Sequence, residues 1–144
     1  DYTGAYHYYS KFIEIRETQN LDVYRGENAK IGLVLAELGM NEKSEEYFRN
    51  YLEYAENDNS LYKHLSLAVY NSYMGNTEKA IEHLELFAEQ DNYQYLIIPF
   101  LKIDPLIDNI RDLPEYNRII QRMELKFWRS HKKIKTSLEK QGLI

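Results

Sequence analysis

The side chains able to do chemistry in this 144-residue sequence are few and scattered. Four histidines, His7, His64, His83 and His131, are its only imidazoles. A zinc or di-iron site needs such groups to converge at ligand spacing. None of the four stands at ligand spacing from another, or from a carboxylate on the same helical face, so all are read as surface or core-edge residues. Paired carboxylates such as Glu45 and Glu46 fall on helix faces that read as solvated. Serine, histidine and aspartate all occur, but nothing places them together, and there is no Gly-x-Ser-x-Gly nucleophile elbow. The six glycines form no phosphate-cradling loop. There is no cysteine, which excludes disulfides and thiolate chemistry. The sequence therefore gives no catalytic, metal-binding or cofactor-binding residue, and no enzyme is expected.

What the sequence organises instead is apolar surface. Two stretches echo each other. Ile31-Gly32-Leu33-Val34-Leu35-Ala36-Glu37-Leu38-Gly39 is followed by Met40-Asn41-Glu42-Lys43-Ser44. Leu67-Ala68-Val69-Tyr70-Asn71-Ser72-Tyr73-Met74-Gly75 is followed by Asn76-Thr77-Glu78-Lys79-Ala80. Each reads as an apolar helix, a glycine stop, a polar turn and a small residue opening a second helix. The two glycines lie 36 residues apart. Glycine enters the left-handed conformation that ends a helix without steric cost. The second helices carry Ser44, Tyr47, Phe48, Tyr51, Leu52 and Ala55, then Ala80, Ile81, Leu84, Phe87 and Ala88, spaced by three and four so that each set shares one face. A helix pair of this kind buries its apolar face by stacking on a neighbour.

At residues 26–90 the chain resembles the tetratricopeptide repeat family. Ile31-Gly32 and Leu67-Ala68 match its apolar-small pair, and Leu35 its large mid-helix residue. Leu38-Gly39 and Met74-Gly75 match its turn, Ser44 and Ala80 the small residue of the second helix, and Phe48 and Leu84 the bulky residue one turn on. Asn71 departs from the large mid-helix residue, Tyr51 and Phe87 from a late alanine, and the closing proline is missing from both units. The spacing exceeds the usual ~34 by two. The expected fold is all-α: one domain, 1–144, of antiparallel helix-pair repeats in a tetratricopeptide-like α-solenoid of about two repeats. Its parts are a flanking helix in 3–22, repeat 1 in 23–57, repeat 2 in 60–90, and C-terminal capping helices with a long basic helix in 93–144.

Local signals refine this outline. Asp22 is expected to cap a helix running from Val23 to Leu38. Asn57-Asp58-Asn59-Ser60 is the clearest loop, and Asn59 or Ser60 can cap the next helix. Pro99 forbids a long regular helix through the apolar cluster Tyr95–Ile103. Asp104-Pro105 reads as a cap followed by a first-turn proline, and Leu113-Pro114-Glu115 opens a helix that runs to Gln141, ahead of Gly142. Asp104, Pro105, Arg111, Pro114 and Tyr116 also resemble the closing element found after tetratricopeptide arrays in some bacterial regulatory and signalling proteins. That resemblance implies a bacterial transcription-regulator or signalling fragment. The start at Asp1, in mid-pattern and without methionine, is read in the same sense, as a fragment or processed form.

Net charge is −5, split unevenly: residues 1–101 hold 8 basic and 17 acidic side chains, and residues 102–144 hold 10 and 6. The last helix carries an apolar stripe (Tyr116, Ile120, Met123, Phe127, Ile134, Leu138) beside Lys126, Arg129, Lys132, Lys133, Lys135 and Lys140. It is read as a packed cap with a solvated basic face, with homodimerisation or an anionic partner as alternatives. No apolar run approaches the ~20 residues of a membrane span, and no signal peptide is visible. A cytoplasmic protein without membrane contact is expected. The 14 tyrosines suit a thin two-layer array, where ring edges reach water.

The family resemblance implies a concave groove lined by the first helix of each pair. Lys30, Leu33 and Glu37 would line it from the first unit, beside Ala29 and Ala36. Tyr62, Ser66, Val69 and Tyr73 would do so from the second, beside Leu65 and Ser72. Such grooves take an extended peptide or a helix. The family's carboxylate-clamping variant needs Lys, Asn and Arg where this chain has Ala29, Leu33, Tyr62 and Ser66, so no clamp is expected. The expected partner is a protein or peptide, in an interaction module of a larger regulatory protein. The basic last helix is itself a candidate occupant of the groove. Two alternatives are a nucleic-acid-binding accessory using that helix, which the acidic array argues against, and a structural dimerisation domain.

Overall fold

The computed structural model describes residues 1–144 and is helical, with no strand. Helix α1 spans Tyr2–Thr18, α2 Asn28–Glu37, α3 Asn41–Asn57, α4 Lys63–Tyr73, α5 Thr77–Glu89, α6 Ile97–Ile103, α7 Asp108–Arg111 and α8 Pro114–Lys140. Short 3₁₀ turns, Arg25–Glu27 and Pro105–Ile107, lead into α2 and α7. No helix is long and apolar enough to cross a membrane.

The helix ends follow from their sequences. Gly39 and Gly75 adopt φ of +75° and +76°. After α2 the Met40 N–H donates to the Leu35 carbonyl (2.9 Å) and the Gly39 N–H to Ala36 (2.9 Å). After α4 the Asn76 and Gly75 N–H groups do the same to Asn71 (2.8 Å) and Ser72 (3.0 Å). These are paired Schellman closures, which satisfy carbonyls the helix itself leaves free. Asn20 (φ +50°) closes α1 and Gly142 (φ +68°) closes α8 in the same way.

Two helical hairpins result, α2–α3 and α4–α5, with α3 also packed on α4. Within the first hairpin Gly32 lets the helices touch. A Cβ there would lie 2.8 Å from the Phe48 ring, and the Ser44 hydroxyl donates to the Gly32 carbonyl at 2.7 Å. In the second hairpin the same positions are Ala68, Ala80 and Leu84, all fully buried. Between hairpins, Phe48 of α3 stacks on Tyr73 of α4 with centroids 4.1 Å apart. The larger core joins Leu84 and Phe87 of α5 to Ile98, Leu101, Ile107 and Ile110 and to the α8 seam Tyr116, Ile119, Ile120 and Met123. Of the 14 tyrosines only Tyr51 and Tyr116 are buried; the others are half-buried or exposed, so that their hydroxyls can reach water.

Some boundaries differ from the sequence reading. Asp22 does not cap α2. Tyr24 takes a left-handed φ of +55°, which interrupts the backbone, and the α-helix starts only at Asn28. Asp22 instead pairs with Arg25 at 3.6 Å. The helix after the 57–60 loop starts at Lys63, with the Ser60 hydroxyl accepting from the Tyr62 N–H at 3.1 Å. Helix α1 has no buried residue. Polar side chains hold it: Arg16 donates to Asn28 Oδ1 at 2.9 Å and Tyr9 to Glu27 Oε2 at 3.2 Å.

The C-terminal punctuation is as the sequence indicates. The Asp104 carboxylate accepts from the Leu106 N–H (3.0 Å), with Pro105 at the first helical position. Arg111 reaches back to the Asp104 carbonyl (2.6 Å) and pairs with Asp108 (2.7 Å). The buried Tyr116 hydroxyl donates to the Leu101 carbonyl at 2.6 Å. Pro99 sits in the first turn of α6, where its missing N–H has no intrahelical partner to lose.

Replacing Gly39 or Gly75 by alanine should cost about 1 kcal/mol each, the left-handed penalty. Gly32→Ala should cost more, roughly 1–3 kcal/mol, because the methyl meets the Phe48 ring in a packed core. Urea unfolding of the three variants measures the order.

Candidate binding groove

The space between α2 and α4 is floored by Phe48 and Tyr51 of α3. Its central part is filled by the chain itself. Leu106, only 2 % exposed, packs there with Ala29, Leu33, Phe48 and Tyr51, against Val69 and Tyr73. Asn109 Nδ2 anchors the same segment by donating to the Ser72 carbonyl at 2.8 Å. The occupant of the groove is thus the closing segment 104–111. The last helix, a candidate occupant, lies elsewhere, packed as a cap. Helix α8 packs on α5, α6 and α7. Arg122 pairs with Glu85 of α5, and Lys126 donates to the Glu89 (3.0 Å) and Gln90 (2.7 Å) carbonyls that end α5 and pairs with Asp91 (2.8 Å). An ammonium at a helix C-terminus meets the unpaired carbonyls and the negative dipole end, which fixes α8 on that side.

Beside the Leu106 plug an open groove of about 590 Å³ remains. Its walls come from α1 (Tyr2, Ala5, Tyr9), α2 (Lys30, Leu33, Val34), α4 (Leu65, Val69) and α6 (Ile97, Phe100, Leu101, Ile103), and Asp1, Asp104 and Pro105 complete it. The lining is mostly apolar. On the rim Phe100 and Ile103 are 58 % and 69 % exposed. Leu96, the capping residue just before α6, is also exposed and extends the same face at i, i+4 and i+7.

Of the residues expected in a groove, the structure brings Lys30, Leu33, Leu65 and Val69 together there. Glu37 is exposed beyond its end. Tyr62 faces away, its ring against Phe87 and its hydroxyl accepting from the Gln94 N–H at 3.3 Å. Ser66 lies beside the buried Tyr51 hydroxyl, whose pKa burial pushes well above the usual phenol value. Tyr73 is taken up by its stack on Phe48, with its pKa raised by burial and then by Glu37. The α6 wall and the α1 wall lie outside the two echoing stretches of the sequence, so the echo does not assign them. The outward spacing of Leu96, Phe100 and Ile103 was the signal available for the first of them.

The structure also brings two of the histidines together. His64 of α4 and His83 of α5 meet across the second hairpin, Nδ1 to Nδ1 at 3.1 Å, with ring centroids 5.3 Å apart. That separation puts both nitrogens nearly on the line between the rings, so they share one N–H···N hydrogen bond. His7 and His131 stand apart from them on exposed surface. No group of three or more histidine, aspartate or glutamate side chains converges on a metal-sized site. Compared with protein-family models, curated proteins and solved structures, the chain gives no match in any of the three.

Burial, then His64, lowers the His83 pKa below its ordinary 6.5; Glu82 opposes the shift and Lys79 reinforces it. The shared bond holds at most one proton between the two Nδ1 atoms, so the folded state resists the second protonation. A depressed folded pKa makes stability fall as pH drops below the unfolded value, near 6.5. Melting temperature should therefore decline between about pH 7.5 and 5.5, and His64→Phe should flatten that decline. Thermal melts across this range check it.

Proposed function

We propose that this chain is a non-enzymatic protein-interaction module. In this reading α2–α3 and α4–α5 are tetratricopeptide-like units of a larger regulatory or signalling protein. The groove beside Leu106 receives an amphipathic helix or an extended peptide. The observation that carries the reading is the rim of the groove. Phe100 and Ile103 stand 58 % and 69 % exposed beside a continuous apolar lining, and a grouped apolar surface of this kind marks an interaction site. The i, i+4, i+7 ridge on α6 suits a ligand that itself presents anchors at helical spacing. In favour of the repeat reading are the 36-residue echo of the two hairpins and the returning segment that closes the array.

A second reading, nucleic-acid binding, draws on α8. Arg129, Lys132, Lys133 and Lys140 line one face of that helix and make no ion pair. Phosphate contacts would make affinity fall steeply with salt.

A panel of amphipathic helical peptides, titrated against the full chain by fluorescence anisotropy, tests the first reading. Ile103→Glu should weaken the best binder by about tenfold or more, a loss of ~1.4 kcal/mol, while the exposed Glu78→Gln should leave it unchanged. Peptide binding indifferent to Ile103, or duplex DNA captured in its place with a steep salt dependence, would count against it.

A further inference from the structure

The groove and the free end of α8 answer each other. Up to Phe127 the α8 stripe is covered by α5, α6 and α7; from Trp128 to Lys140 no residue is buried. At 1.5 Å per residue the free part is roughly 20 Å long. The covered stripe continues into it without a change of register. His131, Ile134 and Leu138 follow Ile120, Met123 and Phe127 along one side of the helix, and Ile134 is 61 % exposed. The opposite side carries Arg129, Lys132, Lys133 and Lys140. Gly142 then stops the helix with its Schellman pair.

The same chain therefore has an apolar helix face with nothing on it and an apolar groove with no helix in it. Charge pairs them as well. Residues 125–144 hold six basic side chains and one acidic, and residues 1–124 hold 12 and 22. The free end cannot fold into its own groove. Helix α8 is unbroken from Pro114 to Lys140 and is tied to the α5 side of the molecule by Arg122 and Lys126.

The geometry points to a second copy of this chain as the occupant: the free end of α8 from one protomer lies in the α1–α2–α4–α6 groove of its partner, and the partner returns the contact. The inference rests on the groove reading above and names its ligand. His131, Ile134 and Leu138 supply anchors at i, i+3 and i+7, the spacing a helix-binding groove accepts. Ile134 and Leu138 meet the ridge of Phe100 and Ile103. The basic side of the helix stays in water, and the opposite net charges of the helix end and the partner's body attract at longer range. Because both contacts form at once, the assembly closes on a two-fold axis and stops at two chains. A bare polyanion would need the basic side alone and would leave the Ile134–Leu138 stripe uncovered.

Light scattering on the full chain should give twice the monomer mass of 17.3 kDa. Two double variants separate the sides of the contact: Ile134→Glu with Leu138→Glu on the helix, and Phe100→Glu with Ile103→Glu on the rim. Phe100, Ile103 and Ile134 are more than half exposed and Leu138 is partly so, and circular dichroism checks that both variants stay folded. Each double variant alone should be monomeric. Mixed, they retain one intact helix and one intact groove between them, and native mass spectrometry should find the mixed dimer in excess of either homodimer. A monomeric wild type overturns the exchange, and so does a dimer that survives the rim substitutions, which would mean that the free helices pair with each other. A monomer that still takes up helical peptides in an Ile103-dependent way removes this inference and leaves the groove reading standing. A chain that does neither removes both.

Discussion

Leu106 reaches the middle of the helix array only because the chain reverses at Asp104. One residue organises that reversal with both of its acceptors. Its carboxylate takes the Leu106 N–H, and its carbonyl takes the Arg111 guanidinium. A charge-assisted bond to a main-chain carbonyl is stronger than a neutral one, and here it closes a loop that would otherwise have few local contacts. Leu106 then enters the space between α2 and α4, and Asn109 holds on to the end of α4. The positions of α6 before the reversal and of α8 after it both follow. The buried Tyr116–Leu101 bond ties those two helices together. The open groove is what remains between a plug placed by Asp104 and a wall, α6, placed by the same residue.

This arrangement explains how an acidic, tyrosine-rich chain makes two separate cores. The larger one belongs to the second hairpin and the C-terminal helices, and the smaller one to the first hairpin and Leu106. Leu106 is the only residue from the C-terminal part that enters the smaller core, so the plug is also the stitch between the halves. Phe48 stacked on Tyr73 is the second stitch. An aromatic stack adds roughly 0.5–1.5 kcal/mol beyond the area it buries.

The parts of the fold legible in the sequence are those written in neighbouring residues. Gly39 and Gly75 mark helix ends because only the local backbone decides a left-handed cap. Thr77–Glu89, the Asp104-Pro105 cap, Pro114 at the start of α8 and Gly142 at its end are local for the same reason. The start of α2 was harder. Asp22 is a good capping residue, but Tyr24 turns the backbone left-handed just after it, and no rule of residue type anticipates a tyrosine there. The groove was legible on one side only. Lys30, Leu33 and Val69 follow from repeat register, while Tyr62, Ser66 and Tyr73 are drawn to Phe87, Tyr51 and Phe48 by contacts that depend on how hairpins stack. The meeting of His64 with His83 is of that kind too. They are 19 residues apart, on different helices, and only the hairpin angle brings their rings together.

The first hairpin closes with a glycine, a serine and a phenylalanine at 32, 44 and 48, and the second with alanine, alanine and leucine at 68, 80 and 84. These are two solutions to one spacing problem. In the first, a bare Cα accepts a flat ring and a hydroxyl takes up the carbonyl beside it. In the second, methyl groups mesh with a branched chain. The solutions do not mix. Putting alanine at 32 drives a methyl into the Phe48 ring, whereas glycine at 68 beside Leu84 would leave a hole. The two units are therefore matched sets and not exchangeable modules. A hairpin copied elsewhere in the chain would have to carry all three of its positions together, because a crossover inside a hairpin would join halves that meet with a clash or a hole.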